Sequence, residues 1–151
     1  MKIAARIADH PLHPALVHFP IALWAATWVW DVLGASTGAA DWWRTGYWCL
    51  VAGLVMALPA ALTGLMELLA LEESHPAMGT ATRHMLIMGC AFAAYLGALL
   101  VRGGPLAPEG WRLPAVLGLS TLGVALLAVG GWFGGRLVYW HGLGRAKSPE
   151  L

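Results

Sequence analysis

His10, His13 and His18 fall within the stretch HPLHPALVHFP, set directly against the first long apolar run. Three further histidines, His75, His84 and His141, stand near the ends of later apolar runs. A neutral imidazole nitrogen ligates haem iron, and equally zinc, copper, nickel or iron ions. Polar groups where a helix meets lipid are expensive, so such a concentration of rings implies use.

The elements that must position these rings are membrane helices. The 151-residue chain is 59% hydrophobic and 11% charged, with nine Trp, whereas a soluble domain carries about 25% charged residues. Four helices of about 20 residues with short connections consume nearly the whole length. One four-span domain over 1–151 is therefore expected, and any soluble redox module would be a separate chain. The net charge of +1, with scattered basic residues, argues against a nucleic-acid partner. No CxxCH occurs, which excludes covalent c-type haem, and Cys49 and Cys90 lie inside apolar runs, where a small buried thiol is the ordinary expectation and a metal ligand the rarer one. The first run extends into Trp28, Trp30 and Asp31, unlike the short apolar core of a cleaved signal peptide.

Spans are expected at about 14–33, 42–71, 76–101 and 113–141. Pro14 suits a first helical position, and Pro20 should kink the helix just beyond His18, freeing the Leu16 carbonyl. Trp42, Trp43, Tyr47 and Trp48 form an aromatic girdle at the far interface. Gly53, Ala57, Ala60 and Gly64 make a small-residue stripe on the second span, and Gly130, Gly131, Gly134 and Gly135 give two overlapping GxxxG pairs on the fourth; both favour close helix approach. His10-Pro11 and His75-Pro76 each precede a span with a further histidine inside it, His18 and His84, which hints at a duplicated hairpin.

The expected fold is thus an all-α, up-down, four-helix membrane bundle with both termini on one side. All six histidines then share that side, where Lys2, Arg6, Arg83, Arg136, Arg145 and Lys147 outnumber Arg44, Arg102 and Arg112 opposite. The positive-inside rule assigns the histidine face to the cytoplasm.

Depth sorts the rings. At 1.5 Å per residue His18 lies roughly 6 Å inside Pro14 and His84 roughly 12 Å inside Pro76; helix tilt and the Pro20 kink can absorb the mismatch. The first and third helices are diagonal neighbours, so these two imidazoles are expected to face each other across a flat cofactor. Ala22, Ala25 and Val29 lie beneath one, and Met88, Ala91 and Tyr95 beneath the other. That is the pattern of bis-histidine b-type haem. The alternatives are a His18 that caps backbone freed by Pro20 and a His84 at the interface. A second site is expected near His13 and His141, and a small metal ion on His10, His13, His75 or His141 is a further reading. Glu67 lies about a turn inside the second span and is expected to pair with Arg136, while Arg136 or Arg83 equally suits a haem propionate. Asp31 reads as an interfacial residue.

HPLHPALVHFPIAL at His10–Leu23, ALTGL at Ala61–Leu65, ATRHMLIM at Ala81–Met88 and GGWFGGRLVYWHGLG at Gly130–Gly144 together resemble the bacterial membrane family known as domain of unknown function 2231. The resemblance implies a four-helix membrane domain that lies beside, or is fused to, redox modules. Carried over onto this chain, the motif histidines are His10, His13, His18, His84 and His141, and His75 falls outside the pattern. Met88 stands where a polar amide is expected, and Arg136 where an acid is common.

The expected function is a bacterial inner-membrane electron carrier or anchor subunit that holds haem b and passes electrons between a partner protein and quinone or another haem. A second copy of the chain is a further possible partner. The alternatives are a copper, zinc or iron binder or transporter, and a purely structural subunit. No nucleophile and base pair or phosphate loop points to a soluble-substrate enzyme.

Overall fold

A computed structural model of the chain describes residues 6–7 and 10–143. Strand β1 (Arg6–Ile7) pairs antiparallel with β2 (His10–Pro11), followed by helices α1 (Leu12–Leu16), α2 (His18–Thr37), α3 (Ala40–Ala70), α4 (Met78–Arg102) and α5 (Arg112–Tyr139). The segment Leu12–Thr37 and the helices α3, α4 and α5 are each long and apolar enough to cross a membrane. Only closed hydrogen bonding lets backbone do so. The architecture is the up-down four-helix membrane bundle read from the sequence.

The division between α1 and α2 falls at Val17, just before His18 rather than beyond it. Pro20 has no N–H for the Leu16 carbonyl, yet Val17 keeps helical dihedrals (φ −65, ψ −23), and hydrogen bonds run from Val17 N to His13 O and from Ile21 N to Val17 O. The backbone hydrogen bonding is therefore carried across Val17. At the far side α2 and α4 each stop on a left-handed glycine, Gly38 and Gly103, whose N–H closes on Gly34 O and Leu99 O; only glycine takes that φ without strain.

The exterior is apolar, with Leu58, Leu62, Leu69, Leu86 and Leu100 exposed, whereas Thr27, Asp31, Arg102 and Ser120 are buried. Lipid solvates leucine as well as another helix does, so specificity must come from close packing and from polar groups inside.

The interior is built twice. Each buried position of α5 (Val116, Ser120, Gly123, Leu127, Gly130) lies 70 residues after a buried position of α3 (Gly46, Leu50, Gly53, Ala57, Ala60). Pro20, Trp24, Thr27 and Asp31 of α2 recur 71 residues later as Ala91, Tyr95, Ala98 and Arg102 of α4, all buried. Packing follows the same rule: α2 with α3 and α4 with α5 form two hairpins, and α3 meets α4 as α5 meets α2. Both halves run in the same direction, which is a parallel duplication about an axis along the membrane normal. Its register is set by Trp24 and Tyr95, not by the two His-Pro pairs.

Candidate functional site

Two pairs of side chains meet where α2 approaches α4 across the bundle centre, and a third pair of equivalent positions, His13 and His84, lies at the near end. In the middle the Trp24 and Tyr95 rings stack at 4.7 Å with 17° between planes, and the Tyr95 hydroxyl donates to Trp24 O at 3.2 Å. Each ring lies flat on a glycine of its own hairpin: a Cβ on Gly53 would come within 2.5 Å of Trp24 Cδ1, and one on Gly123 within 2.6 Å of Tyr95 Cε2.

At the far end Arg102 donates to Asp31 Oδ1 at 2.7 Å, with both side chains essentially inaccessible (0% and 1% exposed). The same guanidinium donates to Trp43 O and lies over the Trp43 and Tyr47 rings, at 5.2 and 5.9 Å from their centroids. Asp31 was expected at the interface and Arg102 in a loop; instead they form a charge pair removed from water. The overlooked signal was their common depth at the far ends of the first and third spans.

At the near end stand His13 and His84. His13 lies on α1 and turns Nδ1 to Ala60 O at 2.9 Å, with Thr63 Oγ1 at 3.4 Å; His84 turns Nδ1 to Gly130 O at 2.8 Å. A carbonyl only accepts, so in both rings Nδ1 carries the proton and the lone pair of the neutral imidazole sits on Nε2. Among the described residues no hydrogen bond reaches either Nε2. Both rings seat against glycine four residues beyond the accepting carbonyl: a Cβ on Gly64 would lie 2.7 Å from His13 Cε1, and one on Gly134 3.2 Å from His84 Cε1. Ala60 and Gly64 correspond to Gly130 and Gly134 under the duplication, so the two rings are held in the same way by the two halves.

A family model described as a predicted membrane protein, DUF2231, matches residues 9–147. The chain belongs to the DUF2231 family. No curated protein and no solved structure matches it.

In this DUF2231 chain the residue of the first half equivalent to His84 is therefore His13, 71 residues earlier, and not His18. His18 opens α2 with its side chain exposed. Depth along a helix fixes no azimuth, and the short α1 carries His13 across onto α3. Ala22 and Val29, expected to line a gap beneath His18, are exposed as well; Trp24 and Tyr95 fill the bundle centre at mid-depth. From His84 to Tyr95 the α4 axis rises about 16 Å, an interval in which Ala91 is buried and Met88 lies with Sδ against Gly130.

The remaining expected residues stand apart from this pair. His141 Nε2 lies 3.3 Å from Thr80 Oγ1, and His75 Nδ1 accepts the Ala77 N–H at 3.1 Å as a local cap. Arg83 and Arg136 are exposed, and Arg136 faces outwards among Trp132, Tyr139 and Trp140. Among the described residues the membrane-embedded ion pair is Asp31 with Arg102, and Arg136 carries none. Glu67 is half-buried. The His10 side chain lies outside the described residues. Among the described residues no group of three or more His, Cys, Asp or Glu side chains is placed to hold a metal ion.

Proposed function

We propose that this chain binds one b-type haem through Nε2 of His13 and Nε2 of His84 and carries single electrons within the membrane, alone or as the anchor of a redox partner. One observation carries the reading: two imidazoles from the two halves, each with Nδ1 committed to a backbone carbonyl and Nε2 left with its lone pair. Metal-ligating histidines use that arrangement, in which the second nitrogen's hydrogen bond fixes tautomer and ring plane and raises basicity. A donor set of two also suits haem, whose porphyrin supplies the equatorial ligands and leaves only axial ones to the protein. A bare zinc or copper ion wants a fuller shell of protein ligands.

His13 and His84 would hold and orient the haem, which when bound would supply one-electron chemistry between a reduced partner and an acceptor such as quinone. The balance of basic residues supports a cytoplasmic histidine face. Arg102 is consumed in its buried pair, which leaves Arg44 and Arg112 against six Lys and Arg on the histidine side.

The test is haem content by pyridine haemochromogen assay after haem-supplemented expression. About one haem per chain is expected. A chain that stays colourless under those conditions, or one with stoichiometric metal and no porphyrin, refutes the reading. A purely structural role for the rings is separated by the same assay, since it requires no chromophore.

A further inference from the structure

The duplication supplies an internal control for the outer surface, because a position that faces lipid in one half has a counterpart in the other. On α3 Leu62, Leu65, Met66, Leu69 and Ala70 carry neither charge nor ring, with Leu62, Leu65 and Leu69 exposed and Met66 and Ala70 half-buried. Their counterparts on α5, 70 residues later, are Trp132, Gly135, Arg136, Tyr139 and Trp140. Nothing in the packing of the bundle asks for this change. Trp132, Tyr139 and Trp140 are 70%, 79% and 80% exposed, and with Gly131, Gly135 and Arg136 they frame an open recess of about 620 Å³.

The recess has a definite chemistry. A Cβ on Gly131 would meet nothing within 4 Å, and one on Gly135 only the edge of Tyr139 at 3.9 Å, so the two glycines form a bare floor between the exposed rings. Arg136, in the last turn of α5, stands above that floor, carries no ion pair among the described residues, and presents a planar donor fork suited to phosphate. The aromatic rings that flank it belong at the headgroup level of a bilayer. Cation, apolar trough and interfacial aromatics together match a single anionic phospholipid, its phosphate on Arg136 and a chain over Gly131 and Gly135.

We infer that the near-side end of α5 is a binding site for an anionic phospholipid, with Arg136 as its phosphate ligand, and that the corresponding surface of α3 is not. The test is native mass spectrometry of the full-length protein released from detergent with equimolar phosphatidylglycerol and phosphatidylcholine. Wild type should retain phosphatidylglycerol at least threefold over phosphatidylcholine. Arg136→Gln should abolish the preference, Arg136→Lys should keep most of it because the charge remains, and Met66→Gln on α3 should leave it unchanged. Equal retention of the two lipids, a preference that survives Arg136→Gln, or a dimer held through this face and broken by Gly131→Leu would each overturn the inference.

Discussion

Asp31 and Arg102 occupy equivalent places in the two halves, and their side chains pair at 2.7 Å on the axis that relates them. A copy of the first half paired with itself would oppose two carboxylates there, and the second half two guanidiniums. The pair therefore favours association of unlike halves. Removing one member strands a buried charge, at a cost of about 3–5 kcal/mol, whereas replacing both with apolar groups is often near neutral. Asp31→Leu and Arg102→Met should each lower the thermal midpoint in detergent more than the double variant does. A double variant as unstable as the summed singles would show that the contacts of Arg102 with Trp43 and Tyr47 matter more than the charge pair.

Gly64 and Gly134 hold equivalent places under the two imidazoles but tolerate a methyl group unequally. An added Cβ at Gly64 meets the His13 ring at 2.7 Å, against 3.2 Å for Gly134 and His84. Overpacking of this kind costs about 1–3 kcal/mol, and falling wholly on the site it would weaken haem binding by about 5- to 150-fold. Gly64→Ala is expected in that range by haem titration, with Gly134→Ala less affected. Wild-type affinity in Gly64→Ala would mean that His13 is not a ligand.

Tyr95→Phe keeps the stack on Trp24 and loses only the bond to its carbonyl. A loss of about 0.5–1.5 kcal/mol of stability is expected, read by thermal unfolding, with haem content unchanged. Haem loss in this variant would place Tyr95 within the cofactor site rather than beneath it.

The spans, their shared histidine side and the small-residue stripes were legible because lipid imposes length and apolarity on every helix. The equivalence of His13 with His84 was not. His13 sits between two prolines, which reads as extended chain, yet Leu12–Leu16 is helical and lays the ring on Ala60 and Gly64. Depth favoured His18 because it is counted from a helix start and ignores the direction a side chain takes around the axis. The His-Pro echo pointed to a duplication but gave the wrong register. The true one pairs His13 with His84 and Gly53 with Gly123, but its buried centre is written in unlike residues, Trp24 with Tyr95 and Asp31 with Arg102, which match in place but not in type. Gly130 and Gly134 were read as helix-packing glycines; they face inwards to seat Met88 and His84, while Gly131 and Gly135 face outwards.

The most direct measurement is the visible spectrum, oxidised and dithionite-reduced, of haem-replete wild type beside His13→Ala, His84→Ala and His18→Ala. Wild type and His18→Ala should share a low-spin bis-histidine spectrum with sharp α and β bands on reduction. His13→Ala and His84→Ala should each lose it. Retention of that spectrum in His13→Ala, or its loss in His18→Ala alone, would contradict ligation by the two inward-facing rings.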